Sequence, residues 1–183
     1  AIADKVLQMG VTKILEEIYE QDFLDCSYGY RPKVGALDAV RDLSAELRSG
    51  RYHFLVEADI RSYFDKIDHG KLVELLKRRI DDKPFLRLIR KWLKAGILET
   101  DGRVIHPETG TPQGGIASPV LTNLTLDGLE GAIRSAVPRW VGSTNTRTKV
   151  NVIRYADDLL ITGGSKEILE ERVLPALRAF LAP

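Results

Sequence analysis

The chain has 183 residues, 44% of them hydrophobic and 29% charged, the size and make-up of one globular domain with a sizeable core and no disordered bulk. Its single cysteine, Cys26, excludes an intramolecular disulfide and a multi-cysteine zinc site; with no signal peptide and no apolar run long enough to span a bilayer, the expected compartment is a reducing cytoplasm. A net charge of +1 and a pI near 8.0 exclude the global basic field of a strongly basic nucleic-acid-binding domain.

Ile2, Val6, Met9, Ile14, Leu15 and Ile18 fall on one broad helical stripe, and the polar, turn-prone stretch Gln21 to Pro32 ends it. Val34, Leu37, Val40, Leu43 and Leu47 recur every three or four positions and predict a second helix that stops at Gly50, a residue free to turn left-handed. Tyr52 to Ile60, rich in aromatic and β-branched residues, predicts a strand that ends where Asp59 appears. Asp68 is placed to cap a helix carrying Leu72, Val73, Leu75, Leu76 and Ile80, and Pro84 suits the first turn of the next, through Leu88, Ile89, Trp92 and Leu93.

Ser118 before Pro119 predicts a helix from Pro119 to about Ala136, stopping before Pro138. Residues 138 to 149 are polar and irregular. Val150 to Arg154 and Leu159 to Thr162 predict two strands joined across Ala156 to Asp158, with Gly163 and Gly164 ending the hairpin. A last amphipathic helix carrying Ile168, Leu169, Val173, Leu177 and Phe180 follows Ser165, with Pro175 placed to kink it. The chain opens without Met inside a helical pattern and stops soon after another, so it reads as a piece of a longer protein.

Two segments bring Asp to strand ends: FLVEADIRSYFDKID (Phe54 to Asp68) and VIRYADDLLIT (Val152 to Thr162). Asp65 and Asp68 have ordinary local reasons to be Asp, one in a turn and one at a helix start. For Asp157 and Asp158 two readings stand, a hairpin turn or part of a metal site. Two like charges at the tip of an apolar hairpin repel, and a divalent cation shared with a third carboxylate relieves the repulsion; Asp59 is the natural third. Oxygen ligands with open positions suit Mg²⁺ completed by water and substrate phosphate, and the chemistry this predicts is two-metal phosphoryl transfer. The histidines, His53, His69 and His106, are dispersed and offer no metal spacing.

Four segments, SYGYRP (Ser27 to Pro32), ADIRSYFDKIDH (Ala58 to His69), TPQGGIASPVLTNLTLDGLE (Thr111 to Glu130) and RYADDLLITGG (Arg154 to Gly164), resemble in content and order the motifs of group II intron reverse transcriptases. The resemblance implies an α/β (α+β) fold: a right-hand polymerase palm with an antiparallel sheet backed by helices, plus partial helical fingers. It places the fingers segment at residues 1–51 and the palm at 52–183, with the remaining fingers, thumb and maturase regions outside this sequence.

Residue by residue, the resemblance implies that Asp59, the backbone carbonyl of Ile60, Asp157 and Asp158 bind two Mg²⁺ ions, with Mn²⁺ as an alternative, and that the three Asp residues are catalytic. Phe64 matches the aromatic that crowds an incoming ribose 2′-hydroxyl, against plain core packing. Gln113 matches the amide beside the nascent base pair, and Gly114 with Gly115 gives close backbone approach, against a simple turn. Tyr155 matches the aromatic that supports the primer end, against burial in the hairpin. Arg31 and Arg154 reach phosphate or template, against solvated or structural roles.

The implied partners are an RNA template, a DNA or RNA primer, dNTP and the group II intron RNA, with no membrane and with dimerisation left open. The setting is the cytoplasm of a bacterial host or an organelle. The competing readings are an RNA-binding maturase scaffold without polymerase activity, and a retron or CRISPR-associated reverse transcriptase.

Overall fold

The computed structural model describes residues 2–95, 97–98, 104–105, 108–111, 115–138, 140–141 and 146–182. The chain begins with α1 (Ile2–Tyr19) and α2 (Ala36–Arg48), which lead to strand β1 (Phe54–Asp59). Three helices follow, α3 (Tyr63–Lys66), α4 (His69–Lys77) and α5 (Lys83–Leu93), then the short strands β2 (Ile97–Leu98) and β3 (Val104–Ile105). Next come α6 (Ser118–Thr125), α7 (Leu129–Ala136), and the short strands β4 (Trp140–Val141) and β5 (Thr146–Arg147). The hairpin β6 (Val150–Tyr155) and β7 (Asp158–Gly163) precedes a terminal helical run, α8 (Lys166–Ile168), a π-turn (Leu169–Val173) and α9 (Leu174–Leu181). The mix of helices with a three-stranded antiparallel sheet agrees with the expected α/β class.

Contacts group the chain into two compact, interleaved units, Ala1–Asp22 with Ile60–Thr125, and Phe23–Asp59 with Leu126–Pro183.

The first unit is helical. α6 packs with α1 and α4, and α4 with α5. Its centre holds Leu15, Leu72, Leu76, Ile89 and Leu93, all fully buried; each such leucine or isoleucine contributes roughly 1.5–3 kcal/mol. Two buried tyrosines tie the helices together, Tyr19 Oη donating to Leu76 O at 3.2 Å and Tyr63 Oη to Thr122 O at 2.9 Å. The predicted cap forms, Asp68 accepting from Lys71 N at 2.7 Å; Pro84 lies in the first turn of α5 as expected, and the structure adds a cap there, Asp82 accepting from Phe85 N at 2.7 Å. The predicted stripe of α1 is buried only toward its C-terminal half. Of its residues Leu15 is covered and Ile18 half-buried, whereas Ile2, Val6, Met9 and Ile14 are exposed; Val11, outside the predicted stripe, is buried too.

The second unit is built on the sheet, in the order β1-β7-β6 and antiparallel throughout. Strand alternation puts Val152, Leu159 and Ile161 on one face, where all three are buried. Leu129, Ile133, Leu169, Val173 and Leu177 from the unit's helices are buried with them. The opposite face carries Ile153, which packs with Tyr28 and Ala39, with Leu43 and Leu160 alongside. As on α1, the outer positions of the α2 stripe stay uncovered, Leu37 at 81% exposure and Val40 at 58%.

Three predicted elements differ in detail. The helix expected over 119–136 is two, because the chain turns at Leu126–Gly128 with Gly128 at φ 88°, a left-handed conformation that glycine takes without a side-chain clash. The terminal helix widens into the π-turn just before Pro175, which lacks the amide that an α-helical ladder needs there. The stretch 138–149, expected irregular, contains the β4–β5 pair.

Candidate active site

Asp59 is the last residue of β1 and Asp158 the first of β7, and the two are register partners. Opposed residues of an antiparallel ladder project from the same face with Cβ atoms roughly 4.5–5.5 Å apart. Both side chains are exposed, so the sheet presents two carboxylates side by side to solvent at one end. Asp157 comes immediately before Asp158, half-buried in the two-residue turn that Tyr155 and Asp158 close. Burial of the alternate residues, Leu159 and Ile161 on β7, fixes this register: a slip of one position would turn Asp158 inward and Leu159 outward.

The turn is itself held in place. Ala156 is buried and takes φ 57°, a left-handed value uncommon for a residue with a side chain. Against it lies the SYGYRP segment. Tyr28 N donates to Arg154 O at 2.8 Å, Arg154 N donates to Cys26 O at 2.7 Å, and Ser27 bridges Arg154 in parallel, so the segment runs alongside β6. Gly29 then abuts the turn so closely that a Cβ there would lie inside contact distance of the Ala156 amide nitrogen and 3.0 Å from the Tyr155 carbonyl carbon. Gly29 was missed in the sequence; the only signal was a glycine between two tyrosines.

Left-handed backbone recurs in the motifs. The positive-φ residues other than glycine, among those described, are Tyr30, Lys33, Ser62 and Ala156. Three of them fall inside SYGYRP, ADIRSYFD and YADD, where surrounding structure must hold a conformation that costs about 1–3 kcal/mol.

The donor set fits a hard divalent cation in a particular way. Asp59, Asp157 and Asp158 offer oxygen atoms only, from exposed or half-buried positions, and the like charges on opposed Asp59 and Asp158 disfavour each other without a counter-ion. Among the described residues no three His, Cys, Asp or Glu groups gather closely enough to hold a metal ion by themselves. Two opposed carboxylates leave most positions of an octahedral cation to water and substrate phosphate, so the pair makes no caged structural site.

Beside the carboxylates, Tyr155 and Asp158 line a groove of about 290 Å³ together with Glu57, Val40, Ile153 and Leu160. Tyr155 is exposed, not buried in the hairpin. Arg31 donates through Nη1 to Leu24 O at 2.8 Å and Ser27 O at 2.7 Å, and its guanidinium lies 5.8 Å from the Phe23 ring centroid. It braces the SYGYRP loop. Arg154 is buried, with Nη1 donating to Ala156 O at 3.4 Å. The Cys26 thiol donates to Glu130 at 2.9 Å, and burial first, then that carboxylate, push it up to about 12, so it is no nucleophile at neutral pH.

The helical unit holds the other predicted residues. Ile60 O accepts from Tyr63 N at 3.1 Å. Phe64 is half-buried at the start of α3, its ring 6.1 Å from that of Tyr63 and edge-on. Its carbonyl accepts from Thr111 N at 2.8 Å, and Gly110 N donates to Ile67 O at 2.7 Å, so the backbone leading into TPQGG is strapped to the backbone around Phe64. Gly110, at φ 87°, makes the strap fit, since a Cβ there would lie 2.8 Å from Phe64 O. His69 Nε2 meets Gly110 O at 2.6 Å and completes it. Gly110 too was missed in the sequence. Gln113 and Gly114 lie outside the described residues.

Comparison with known proteins bears on all of this. The profile of the reverse transcriptase (RNA-dependent DNA polymerase) family matches residues 1–182. The group II intron-encoded protein LtrA of Lactococcus lactis subsp. cremoris is 42% identical over 127 residues, 69% of this chain and 21% of that protein. The protein YkfC of Escherichia coli K12 is 30% identical over 195 residues, 93% of this chain and 51% of YkfC. The chain thus spans from about a fifth to a half of the length of these relatives. In fold it is similar to apo telomerase from Candida tropicalis, with a TM-score of 0.61 at 10% identity, over 97% of this chain and 36% of that one. Among the described residues no helix is long and apolar enough to cross a membrane.

Proposed function

The chain belongs to the reverse transcriptase family, and from that premise we propose that it is the polymerising core of a group II intron-encoded RNA-directed DNA polymerase, with residues 1–51 part of its fingers and 52–183 its palm. The family implies dependence on a divalent metal and contact with RNA. The finer assignment carries the observation that Asp59 and Asp158 are opposed on the open face of the sheet with Asp157 in the adjoining turn. When bound, a pair of Mg²⁺ ions supplies activation of the primer 3′-hydroxyl and charge neutralisation on the departing pyrophosphate.

Asp59, Asp157, Asp158 and the carbonyl of Ile60 would hold that pair, and Mn²⁺ would fit the same oxygen donors. The sheet register fixes two of the carboxylates in advance of substrate, so little reorganisation accompanies binding. Tyr155, exposed beside Asp158, supports the primer end. Phe64 limits space at the sugar and selects dNTP over rNTP, and Gln113 and Gly114 approach the nascent pair. Arg31 acts on substrate through the SYGYRP loop that it braces, with Gly29 transmitting the loop's position to the YADD turn.

The natural full-length protein would copy an RNA template from a DNA or RNA primer in the cytoplasm of its host, and would bind its own intron RNA to assist splicing. The decisive experiment is primer extension by that protein on an RNA template with dNTPs and Mg²⁺, beside an Asp157→Asn control. Extension lost in the control supports the assignment. No extension by the wild type, with RNA binding intact, would replace it with an RNA-binding splicing scaffold.

A further inference from the structure

Charge is unevenly spread along this chain. Between Lys71 and Lys94 there are nine Lys and Arg against three Asp and Glu, a surplus of six, so the rest of a chain of net charge +1 carries a deficit of five. All nine cations are exposed. On α5 they form one row: Leu86, Ile89 and Leu93 face the core, while Lys83, Arg87, Arg90, Lys91 and, just past the helix, Lys94 share one exposed stripe that flanks it. At 1.5 Å per residue the row extends over roughly 17 Å, enough to run beside about five successive phosphates of one strand at 3.4 Å each.

A solvated helix face is the plain alternative, and three observations weigh against it. Ordinary faces intersperse signs, whereas Lys83–Arg87, Arg87–Lys91 and Arg90–Lys94 are like-charge pairs at i,i+4, which disfavour the helix in isolation. Arg90, Lys91 and Lys94 suit the C-terminal end of the helix dipole, but Lys83 stands in the first turn, where positive charge is unfavourable. Two of the three acids in this stretch are engaged: Asp82 caps α5, and Glu74 pairs with Lys77 at 2.6 Å. Moreover, Lys77, Lys83, Arg87 and Arg90 line a groove of about 400 Å³ with Pro84 and Leu86 and no acidic residue. The adjoining groove lined by Arg90 and Lys94 is mixed in sign through Glu74 and Glu108, which confines the surface to the Lys83–Arg87–Arg90 side.

We infer that this face of α4–α5 is a docking surface for the phosphodiester backbone of nucleic acid. It rests on the reverse transcriptase reading for its biological partner, RNA, but the chemistry it offers is that of phosphate alone: point charges and guanidinium forks without a base-reading element.

The test is fluorescence anisotropy of a labelled single-stranded RNA with the natural full-length protein over a salt titration, repeated with a DNA of the same sequence. The variants are Lys83→Gln/Arg87→Gln/Arg90→Gln and, as a control of equal charge, Lys166→Gln/Arg172→Gln/Arg178→Gln from the exposed side of the terminal helices. The α5 variant should lower the log–log salt slope by about 2 and weaken binding about tenfold or more near 0.1 M salt, with unchanged thermal unfolding, while the control leaves the slope in place. A stronger effect on RNA than DNA makes the surface RNA-selective; equal effects make it a general phosphate dock. Equal slopes for wild type and α5 variant would overturn the inference, as would equal losses in both variants. Primer extension at saturating template separates the two readings. Absent extension with a slope that depends on α5 sinks the polymerase and keeps the surface; extension with a slope that does not depend on α5 does the reverse.

Discussion

The sheet unit and the helical unit present their chemistry by different means. In the sheet unit the carboxylates sit at register positions, so the burial of Leu159 and Ile161 on one face dictates the exposure of Asp158 on the other. In the helical unit Phe64 sits where a loop enters a one-turn helix, and hydrogen bonds from the segment before TPQGG hold it. Yet both units use the same device at the critical contact, a glycine that lets two backbones touch: Gly29 against Ala156 in one, Gly110 against Phe64 and Asp65 in the other. Register protects a site built on strands, whereas a site built on loops depends on single close approaches.

The largest effect should follow from removing a register carboxylate. Asp59→Asn should reduce DNA synthesis on the order of 10³-fold or more, read by primer extension, while denaturant unfolding shows unchanged or higher stability, by up to about 1 kcal/mol, because the like-charge opposition with Asp158 is gone. Lost activity with a stability loss of several kcal/mol would mean that Asp59 holds the sheet together, and the comparison above would fail.

The glycines come next. Gly29→Ala and Gly110→Ala each force a methyl group into backbone, not into a yielding side chain, and each should cost about 2–4 kcal/mol in urea unfolding. Gly29→Ala should also depress synthesis by shifting the YADD turn, an effect that excess template does not rescue. If either substitution is neutral, that strap is looser than its geometry indicates. Phe64→Val should have a smaller outcome, raising rNTP use relative to dNTP by about tenfold with little change in dNTP synthesis; an unchanged sugar preference returns Phe64 to a packing role.

These differences also mark what could be read before the structure was known. Strand and hairpin positions from β1 and β6–β7 were legible because aromatic and β-branched residues gather up to Asp59 and on both sides of Ala156 to Asp158, and the cap at Asp68 and Pro84 in the first turn of α5 follow local rules. The break at Leu126–Gly128 was not, since the apolar pattern runs straight through it and the turn depends on one glycine at positive φ. Gly29 and Gly110 were illegible for a deeper reason. Their importance lies in what they touch, Ala156 at 127 positions' remove and Phe64 at 46, and no local pattern encodes a contact between distant backbones. The exposed stripes of α1 and α2 erred in the opposite sense, with helical periodicity correct but burial absent over Ile2, Val6 and Leu37.

The smallest effect concerns how α2 is attached to the sheet unit. Glu46 on α2 accepts hydrogen bonds from the Asn151 and Thr162 side chains, joining the helix to β6 and β7. Burial raises its carboxyl above the ordinary value of 4.5, the two hydrogen bonds and Arg134 oppose that rise, and Asp42 adds to it. Because the folded-state value lies above the unfolded one, the folded protein binds the proton more tightly. The associated stability is complete below pH 4.5 and is lost as pH rises through the folded value. Glu46→Gln keeps an acceptor for Asn151 while removing the titration, so its stability relative to wild type should increase as pH goes from 4 to 7. Urea midpoints of the two proteins across that range would show it. Parallel curves would mean that solvent reaches Glu46 freely, and that α2 is held to the sheet by Ala39, Leu43 and Ile153 alone.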